Sequence, residues 1–292
     1  MKAKKSSELI INKDGTIFHL HLRPEELAER VILVGDPQRV EMIAAHMKKI
    51  EVKRQNREFH AVTGRYFKTR MTVLSTGIGT DNIDIVMNEL DALANFDFDK
   101  QEPYPMQRTL EIVRIGTSGS VQADVPVGSY VLSERCIGLD GVLRYYKHHE
   151  RACDREFEDA FIEQCQWAPM AARPYVVRSS TALMERLHIP HKTIRGVTLT
   201  ANGFYGPQGR AIRLALEMPE MNNMIARFQY KDQRIINYEM ESAAIAGLAT
   251  LMGHRAATIC LIIANRATGE AMPDYHMQME QLVRHVLNTL TD

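Results

Sequence analysis

Three arginines lie in segments of the sequence that could bind a small anion. Arg39 follows Gly35 within one helical turn, and Arg114 lies two residues before Gly116. Arg57 has no glycine so close to it in the sequence. Glycine lets backbone N–H groups approach an anion closely, and the guanidinium group binds phosphate oxygens in a bidentate manner. A single surface arginine more often forms a salt bridge, but two of these three lie beside glycines. The pattern therefore predicts a binding site for one small phosphate.

The elements that must position these residues are strands that alternate with helices. A short apolar run rich in β-branched residues ends at Gly35, and Asp36-Pro37 then favours the start of a helix. The predicted strands are Val31–Val34, Met71–Ser75, Leu110–Ile115, Tyr130–Leu132, Thr193–Leu199 and Ala256–Ala264, and the predicted helices include Val40–Met47, Ile83–Leu93, Tyr238–Leu248 and Tyr275–Leu290. This alternation predicts an α/β protein with a largely covered sheet.

Three glycine-containing turns are expected at the carboxyl ends of these strands, which is where α/β sheets bind ligands. They lie at Gly35, Gly77–Gly79 and Gly116–Gly119. No linker divides the chain, so residues 1–292 are expected to form one domain. Within it, residues 1–17 are expected to be a flexible N-terminal extension, and the polar segment 97–109 is expected to be a surface insertion.

Composition and motifs exclude several other classes of protein. Lys+Arg and Asp+Glu both number 36, so the chain lacks the basic excess of a nucleic-acid-binding protein. The glycine motifs of dinucleotide-binding proteins, P-loop proteins and hydrolases are absent. His148-His149-Glu150 lacks the spacing of a metal site and is expected to lie on a solvated loop. The unpaired cysteines and the N-terminus without an apolar core favour a cytoplasmic protein that does not enter a membrane.

Five short motifs, in order along the chain, resemble those of the nucleoside phosphorylase-I family. They are Gly35–Val40, Asn56–Phe59, Ser75–Gly79, Arg114–Thr117 and Asn237–Ser242. Together they extend over most of the chain, and within the family the sequence is most similar to the uridine-specific members. The resemblance implies an α/β fold, namely a single three-layer α/β/α domain with a central mixed, twisted β-sheet.

The resemblance also implies a role for each matching position. Phosphate would be bound by Gly35, Arg39, Arg57, Arg114 and Thr117. Ribose would be bound by His19, Thr117, Glu239, Met240 and Glu241. In the family, the residues that match Arg57 and His19 reach the site of a neighbouring subunit. A homo-oligomer is therefore implied, either a dimer or a hexamer built as a trimer of dimers.

The base would be recognised by Phe204, Gln208, Arg210 and Gly119, because the first three have the F-x-x-x-Q-x-R spacing of the uridine-specific members. A glutamine offers a donor and an acceptor to the O2/N3 edge of uracil, an arginine donates to O4, and a phenylalanine stacks on the ring. Cytosine would bring its amino group against the arginine, so that two donors face each other. By the same resemblance, purine-selective relatives have an Asp at the position that matches Asn265. The asparagine therefore disfavours a purine substrate.

The implied reaction is the reversible phosphorolysis of uridine, with deoxyuridine as a further substrate, in pyrimidine salvage. Arg114, Gln208 and Arg210 would be the catalytic residues, and inorganic phosphate would be the co-substrate, without an organic cofactor. The alternatives are a purine nucleoside phosphorylase or nucleosidase of the same fold, and a non-catalytic nucleoside-binding protein.

No transition-metal site is expected, but a monovalent cation is retained as an alternative. Glu58, Ile78 and Asn82 resemble positions that hold such an ion between subunits in some relatives. Asn82 replaces a serine of that pattern, so the resemblance leaves K⁺ binding open.

Overall fold

A computed structural model describes residues 7–169 and 171–291, in which strands alternate with helices. The strands are β1 (Arg30–Val34), β2 (Lys49–Asn56), β3 (Phe59–Tyr66), β4 (Thr69–Ser75), β5 (Phe96–Asp97), β6 (Glu102–Pro103), β7 (Glu111–Ser120), β8 (Tyr130–Gly138), β9 (Tyr175–Arg178), β10 (Thr193–Thr200), β11 (Gln229–Tyr230), β12 (Gln233–Glu239) and β13 (Arg255–Asn265). The helices are α1 (Pro37–Ala44), α2 (Thr80–Asn95), α3 (Arg155–Gln164), α4 (Thr181–Leu187), α5 (Met221–Arg227), α6 (Ser242–Met252) and α7 (His276–Thr289). Short 3₁₀ turns lie at Pro24–Glu26, Val142–Tyr145, His149–Ala152 and Gly206–Gln208.

All strands except β5 and β6 belong to one mixed sheet. Its order is β11-β12-β10-β8-β13-β7-β1-β4-β3-β2, and β9 pairs with β8. The pairs β13–β7, β7–β1 and β1–β4 are parallel, whereas β2, β3 and β4 form an antiparallel edge. Because β12 pairs with both β10 and β7, the strands β7, β13, β8, β10 and β12 close into a ring. The predicted mixed sheet is confirmed, and the ring is a feature that the sequence did not indicate.

Helices cover both faces of this sheet. Along β1, Val31 and Leu33 pack in one core cluster with α2 and α6, whereas Ile32 and Val34 pack in a second cluster with α1, α4 and α7. Successive side chains of a strand point to opposite faces, so this alternation places β1 between two layers of helices. The three-layer α/β/α architecture is therefore confirmed.

Two of the predicted glycine turns lie side by side at the carboxyl ends of β1 and β4. After β1, Asp36 Oδ1 accepts a hydrogen bond from the Gln38 amide at 2.8 Å, and Pro37 begins α1 as predicted. After β4, Gly79 precedes α2 with a φ of 96°, a conformation that favours glycine. Since β1 and β4 are parallel neighbours, both turns follow the carboxyl ends of strands and flank the same space.

The third predicted turn, at Gly116–Gly119, is wrong, because β7 continues through it to Ser120. Pairing with β13 on one side keeps this segment extended. Gly116 serves a different purpose there. A Cβ atom at this position would overlap Nη1 of Arg114, which lies on the same face of the strand. The glycine therefore leaves space for the arginine side chain.

The helix predicted over Tyr238–Leu248 is wrong at its start. Tyr238 belongs to β12, where it pairs with Leu199 of β10, and α6 begins only at Ser242. A buried strand and a buried helix are both apolar, so periodicity alone did not separate the two elements.

An irregularity in β13 determines which side chains reach the site described below. The register of β13 against β7 shifts between Ile262 and Ala264, so that Ile263 is accommodated as an extra residue. Ile263 and Ala264 would point to opposite faces of a regular strand, yet both line the same cavity.

The segments predicted to be peripheral differ from each other. Ile11 forms an antiparallel bridge with Ile17, and Thr16 and Ile17 are buried, so the packed fold begins before residue 17. Residues 1–6 of the predicted extension lie outside the described residues. Residues 97–109 are mostly exposed and contain part of the short β5–β6 hairpin. Within the described ranges, every helix is too short or too polar to cross a bilayer.

Candidate active site

A cavity of about 510 Å³ opens at the carboxyl ends of β1, β7, β12 and β13. Every residue predicted to bind phosphate, ribose or base lines it, with the exception of Arg57 and His19. The sheet topology brings these residues together from segments that are far apart in the sequence, as expected for a ligand site in an α/β fold.

Arg39 contributes a buried positive charge that forms no ion pair with a described residue. Its side chain lies beside the cavity with 8% of the residue exposed, and Nη1 donates to the Ile115 carbonyl at 3.4 Å. Within residues 7–169 and 171–291, it forms no ion pair, and burial lowers its pKa. A buried guanidinium group without an anionic partner is unfavourable by itself, so this part of the cavity is suited to an incoming anion.

Arg114, by contrast, is buried in contact with two glutamates. Its Nη2 forms an ion pair with Glu241 Oε2, and its Nη1 lies 3.5 Å from Glu239 Oε2. Nη1 also lies 3.5 Å from Sγ of Cys260. Burial acts to lower the pKa of Arg114, but the two carboxylates outweigh it and raise the pKa, so the group stays charged. This arginine therefore keeps a positive charge at the wall of the cavity, in contact with the two glutamates.

The two glutamates are held in place by donors from one strand, β10, and from two turns, the one between β12 and α6 and the one before α2. Glu239 accepts from Thr200 Oγ1 at 2.5 Å and from the Glu241 amide at 2.9 Å. Glu241 accepts from the Gly79 amide at 2.7 Å. Burial raises the pKa of Glu241; Arg114 opposes this effect, and the charge of Glu239 adds to it. Two carboxylates that share one guanidinium group keep acceptor oxygens for the hydroxyl groups of a sugar.

Gln208 is the centre of a second group of cavity residues. Its side-chain oxygen accepts from Nη1 of Arg210 and from Nη2 of Arg266, in both cases at 2.7 Å. The Arg210 guanidinium group stacks on the ring of Phe204 at 3.9 Å from its centroid. Burial, with the charge of Arg210, lowers the pKa of Arg266 to about 10. No hydrogen bond from the described residues uses Gln208 Nε2, so this amide can donate to a ligand.

A buried chain of hydrogen bonds orients Ser118, which also lines the cavity. Ser133 Oγ and Thr198 Oγ1 lie 2.6 Å apart, and Thr198 Oγ1 donates to Asn237 Oδ1 at 2.8 Å. Asn237 Nδ2 then donates to Ser118 Oγ at 2.9 Å. Since Ser118 accepts this bond, its own hydroxyl hydrogen is left for a ligand.

The family model described as the phosphorylase superfamily matches residues 29–291. The chain belongs to this superfamily. The uridine phosphorylase of Thermococcus kodakarensis is 28% identical over 273 residues, which cover 91% of this chain and 83% of the relative. The uridine phosphorylase of Escherichia coli is 27% identical, with 94% of this chain and 96% of the relative covered. A solved nucleoside phosphorylase of Trypanosoma brucei that shows uridine phosphorylase activity has a TM-score of 0.87 and 27% identity, with 97% of this chain and 99% of that chain covered.

Two positions that resemble site residues of the phosphorylase superfamily lie outside the cavity of their own chain. Arg57 is exposed in the turn between β2 and β3, and His19 Nδ1 lies 2.6 Å from Glu89 Oε1 on α2. Asn56 Nδ2 donates to the His19 carbonyl at 2.9 Å, so the segments that carry Arg57 and His19 are neighbours. Their action in the site of a second subunit stays a prediction.

Asn265 does not line the cavity of this phosphorylase-superfamily fold. Its Nδ2 donates to the carbonyl oxygens of Gln122 and Val125 at 2.9 and 3.0 Å, so the side chain holds a neighbouring loop. Arg266, directly after it, is the residue at this strand end that contacts Gln208. The sequence motifs singled out neither Arg266 nor Ser118. Ser118 lies in β7, which carries predicted site residues, and Arg266 directly follows β13.

The positions considered for a cation lie beside the glycine turn that precedes α2. A Cβ atom on Gly77 would meet Asn82 Nδ2 and Glu58 Cγ, so both side chains pack against this turn, and Ile78 is 71% exposed. In the part of the chain that the structure describes, no three His, Cys, Asp or Glu side chains are grouped to hold a metal ion. Binding of K⁺ stays an alternative that the resemblance leaves open.

Proposed function

We propose that this protein catalyses the reversible phosphorolysis of uridine, with deoxyuridine as a second substrate. Uridine and inorganic phosphate would give uracil and ribose 1-phosphate. The observation that carries the proposal is the arrangement at Gln208, where one amide lies between Arg210 and Arg266. The same cavity contains Arg39, which forms no ion pair with a described residue. The activity named for the relatives supports this assignment, and a cytoplasmic role in pyrimidine salvage is part of the proposal.

Base recognition would proceed by an exchange of hydrogen bonds at Gln208. Uracil presents an acceptor, a donor and an acceptor along O2, N3–H and O4. The Gln208 amide can donate to O2, and its oxygen can accept from N3–H once Arg210 or Arg266 releases it. The released arginine then donates to O4. Cytosine lacks the N3 hydrogen and carries an amino group at position 4, so it would leave buried donors unpaired.

The sugar and phosphate would occupy the part of the cavity that contains Arg39, Arg114 and the two glutamates. Phosphate would bind to Arg39 with Gly35 and Thr117, and Glu241 would accept hydrogen bonds from the ribose hydroxyls. Both reactants are then held in one geometry, which removes much of the entropic part of the barrier.

The reaction would begin with lengthening of the C1′–N1 bond, which develops positive charge on the sugar. A phosphate oxygen forms the new bond to C1′, and the electron pair of the broken bond leaves with uracil. The departing base carries negative charge on O2 and O4, which strengthens its hydrogen bonds to Gln208 and the arginines. Uracil then takes a proton at N1 from solvent.

The proposed site would be completed by a second copy of the chain. Arg57 and His19 lie outside the cavity of their own chain, on neighbouring surface segments. A two-fold interface would bring this surface of one protomer to the cavity of the other, and the reverse, so that each dimer would hold two equivalent sites.

A panel of uridine, deoxyuridine, thymidine, cytidine, inosine and adenosine, each with and without phosphate, tests the proposal. Phosphate-dependent release of uracil from uridine is expected to exceed every purine reaction. Cleavage without phosphate would instead indicate a nucleosidase, and preference for inosine or adenosine would indicate a purine nucleoside phosphorylase. Calorimetric binding of uridine without turnover in phosphate would indicate a non-catalytic binding protein.

A further inference from the structure

Gln208 lies in a segment that has little support of its own. Between the end of β10 and the start of α5, residues 201–220 are mostly exposed, and only Ala201 and Gln208 are buried. Ile212 and Leu214, further along the same segment, are 80% and 72% exposed. Hydrogen bonds within the segment, such as those that the Gln208 and Arg210 amides donate to the Tyr205 carbonyl, set its local shape. Its attachment to the rest of the fold depends on contacts from outside the segment.

Asn222, on α5, provides such a contact. Its Nδ2 donates to the carbonyl oxygen of Gln208 at 3.2 Å and to that of Gly209 at 3.5 Å. Gly209 has a φ of 69°, and a Cβ atom there would overlap the Asn222 amide. The close approach of the asparagine thus depends on a glycine directly after Gln208.

The other end of the Asn222 side chain is attached to the sheet. Tyr238 Oη, on β12, donates to Asn222 Oδ1 at 3.0 Å. The carbonyl oxygens of Gln208 and Gly209 accept only, so the amide orientation of Asn222 is fixed. Burial raises the pKa of Tyr238, which therefore keeps its proton and remains a donor.

We propose that Asn222 is a positioning residue for base recognition, which holds Gln208 and Arg210 at a fixed distance from the sheet through Tyr238. This inference rests on the proposed function, because it assigns Gln208 and Arg210 to the base. Asn222 does not itself line the cavity. We call the Tyr238–Asn222–Gln208 hydrogen bonds the Asn222 bridge.

The variant Asn222→Ala removes the bridge, and Asn223→Ala is its matched control. Asn223 is exposed on the same helix, and its Nδ2 donates to Glu220 Oε2 at 2.6 Å instead of to the segment. We expect kcat/KM for uridine to fall roughly tenfold in Asn222→Ala, while the KM for phosphate stays within about twofold. The ratio of kcat/KM for uridine to that for cytidine should also decrease, which a loss of stability alone would not produce.

Two further variants test the direction of the hydrogen bonds. Asn222→Asp keeps an acceptor for Tyr238 but loses the donor to Gln208, so it should be impaired like Asn222→Ala. Tyr238→Phe removes only the hydroxyl group, and combining it with Asn222→Ala should cost no more than Asn222→Ala alone. Unchanged uridine kinetics in a folded Asn222→Ala protein, or full additivity in the double variant, would overturn the proposal.

Hydrogen exchange separates failure of this inference from failure of the proposed function. The amides of Gln208 and Arg210 both donate to the Tyr205 carbonyl and should exchange faster in Asn222→Ala than in Asn223→Ala. This measurement needs no activity, so it applies even if the wild-type protein does not cleave uridine. Equal exchange in the two variants would contradict the Asn222 bridge.

Discussion

Arg266 donates to both oxygens of Gln208, to the side-chain oxygen at 2.7 Å and to the backbone carbonyl as well. Its guanidinium group also lies over the Tyr238 ring, at 4.6 Å from the centroid. Because one rigid, planar group holds two atoms of the same residue, it fixes the rotation of the glutamine amide as well as its position. Arg266, which directly follows β13, therefore determines how the Gln208 side chain faces the cavity.

Replacing Arg266 with methionine should impair the use of uridine more than the use of phosphate. Loss of charge-assisted hydrogen bonds to Gln208 should cost roughly 2 kcal/mol, or about 30-fold in kcat/KM for uridine. Steady-state kinetics with each substrate varied in turn provides the test, and Arg227→Met, exposed at the end of α5, is the control. A kcat/KM for uridine that matches the control would show that the contact has no role.

Arg39→Met should weaken phosphate binding and stabilise the protein without ligand. The KM for phosphate should rise by about tenfold or more, because a buried cationic partner is lost. The free energy of unfolding should rise by about 1 kcal/mol, since an unpaired buried charge is replaced by an apolar group. Urea denaturation without phosphate measures this second effect, and a marked loss of stability would instead show that Arg39 is a structural residue.

Glu239→Gln should move the acid limb of the pH profile to lower pH. The raised pKa of Glu241 means that it takes up a proton at a higher pH than an ordinary glutamate, so kcat/KM should fall as the pH decreases through that pKa. Removing the charge of Glu239 removes one cause of the elevation and lowers the pKa of Glu241. Titration of phosphate is the same in both proteins and cancels in the comparison.

Thr200→Val is the control for that experiment. It removes the hydrogen bond that Glu239 accepts from Thr200 but leaves the charge of Glu239 in place. The acid limb of kcat/KM should therefore stay where it is in the wild-type protein. A shift as large as that of Glu239→Gln would mean that geometry, and not charge, determines the acid limb.

Gly116→Ala should nearly abolish activity, although it adds only one methyl group. The new Cβ atom would overlap Nη1 of Arg114 and displace it from Glu239 and Glu241. Gly206→Ala is the control, because a Cβ atom there meets nothing within 4 Å. We expect a reduction in kcat/KM of about 100-fold or more for the first variant and little change for the second. Comparable activity of both variants would rule out the spatial argument.

Mixing two inactive variants should restore activity if two chains share each site. Arg57→Ala and Arg114→Ala would each impair every site of their own homodimers. In a mixed dimer, one site collects both substitutions and the other has none, so a statistical mixture should regain about a quarter of wild-type activity. If the activity of the mixture equals the mean activity of the two variants, a site that combines Arg57 of one chain with Arg114 of the other is excluded.

The parts of the fold and site that the sequence predicted were those with local signals. Asp36-Pro37 directly after a β-branched run defines a helix start by itself, and the structure has this arrangement. Gly116 carries no such local signal, because its importance depends on where the Arg114 side chain lies along the strand. Arg266 was missed for a related reason, since its partner Gln208 lies 58 positions earlier in the chain.

Most of the cavity residues were named from short motifs that resemble those of the nucleoside phosphorylase-I family, and the topology brings these motifs together at one cavity. The sequence did not reveal that β12 closes the ring, and so Tyr238 was assigned to a helix and not to the sheet. Closure of a ring depends on pairing between distant strands, for which one sequence provides no local pattern.

The extra residue in β13 has a consequence for how this protein can change during evolution. Because Ile263 is accommodated next to the cavity, deleting a single residue there would turn every following side chain of the strand to the other face. The Asn265 side chain would then no longer reach the carbonyl oxygens of Gln122 and Val125, and the loop near Gln122 would lose its attachment. The exposed segment 97–109 can vary in length without such an effect. Natural length variants should therefore accumulate in that hairpin and be excluded from β13.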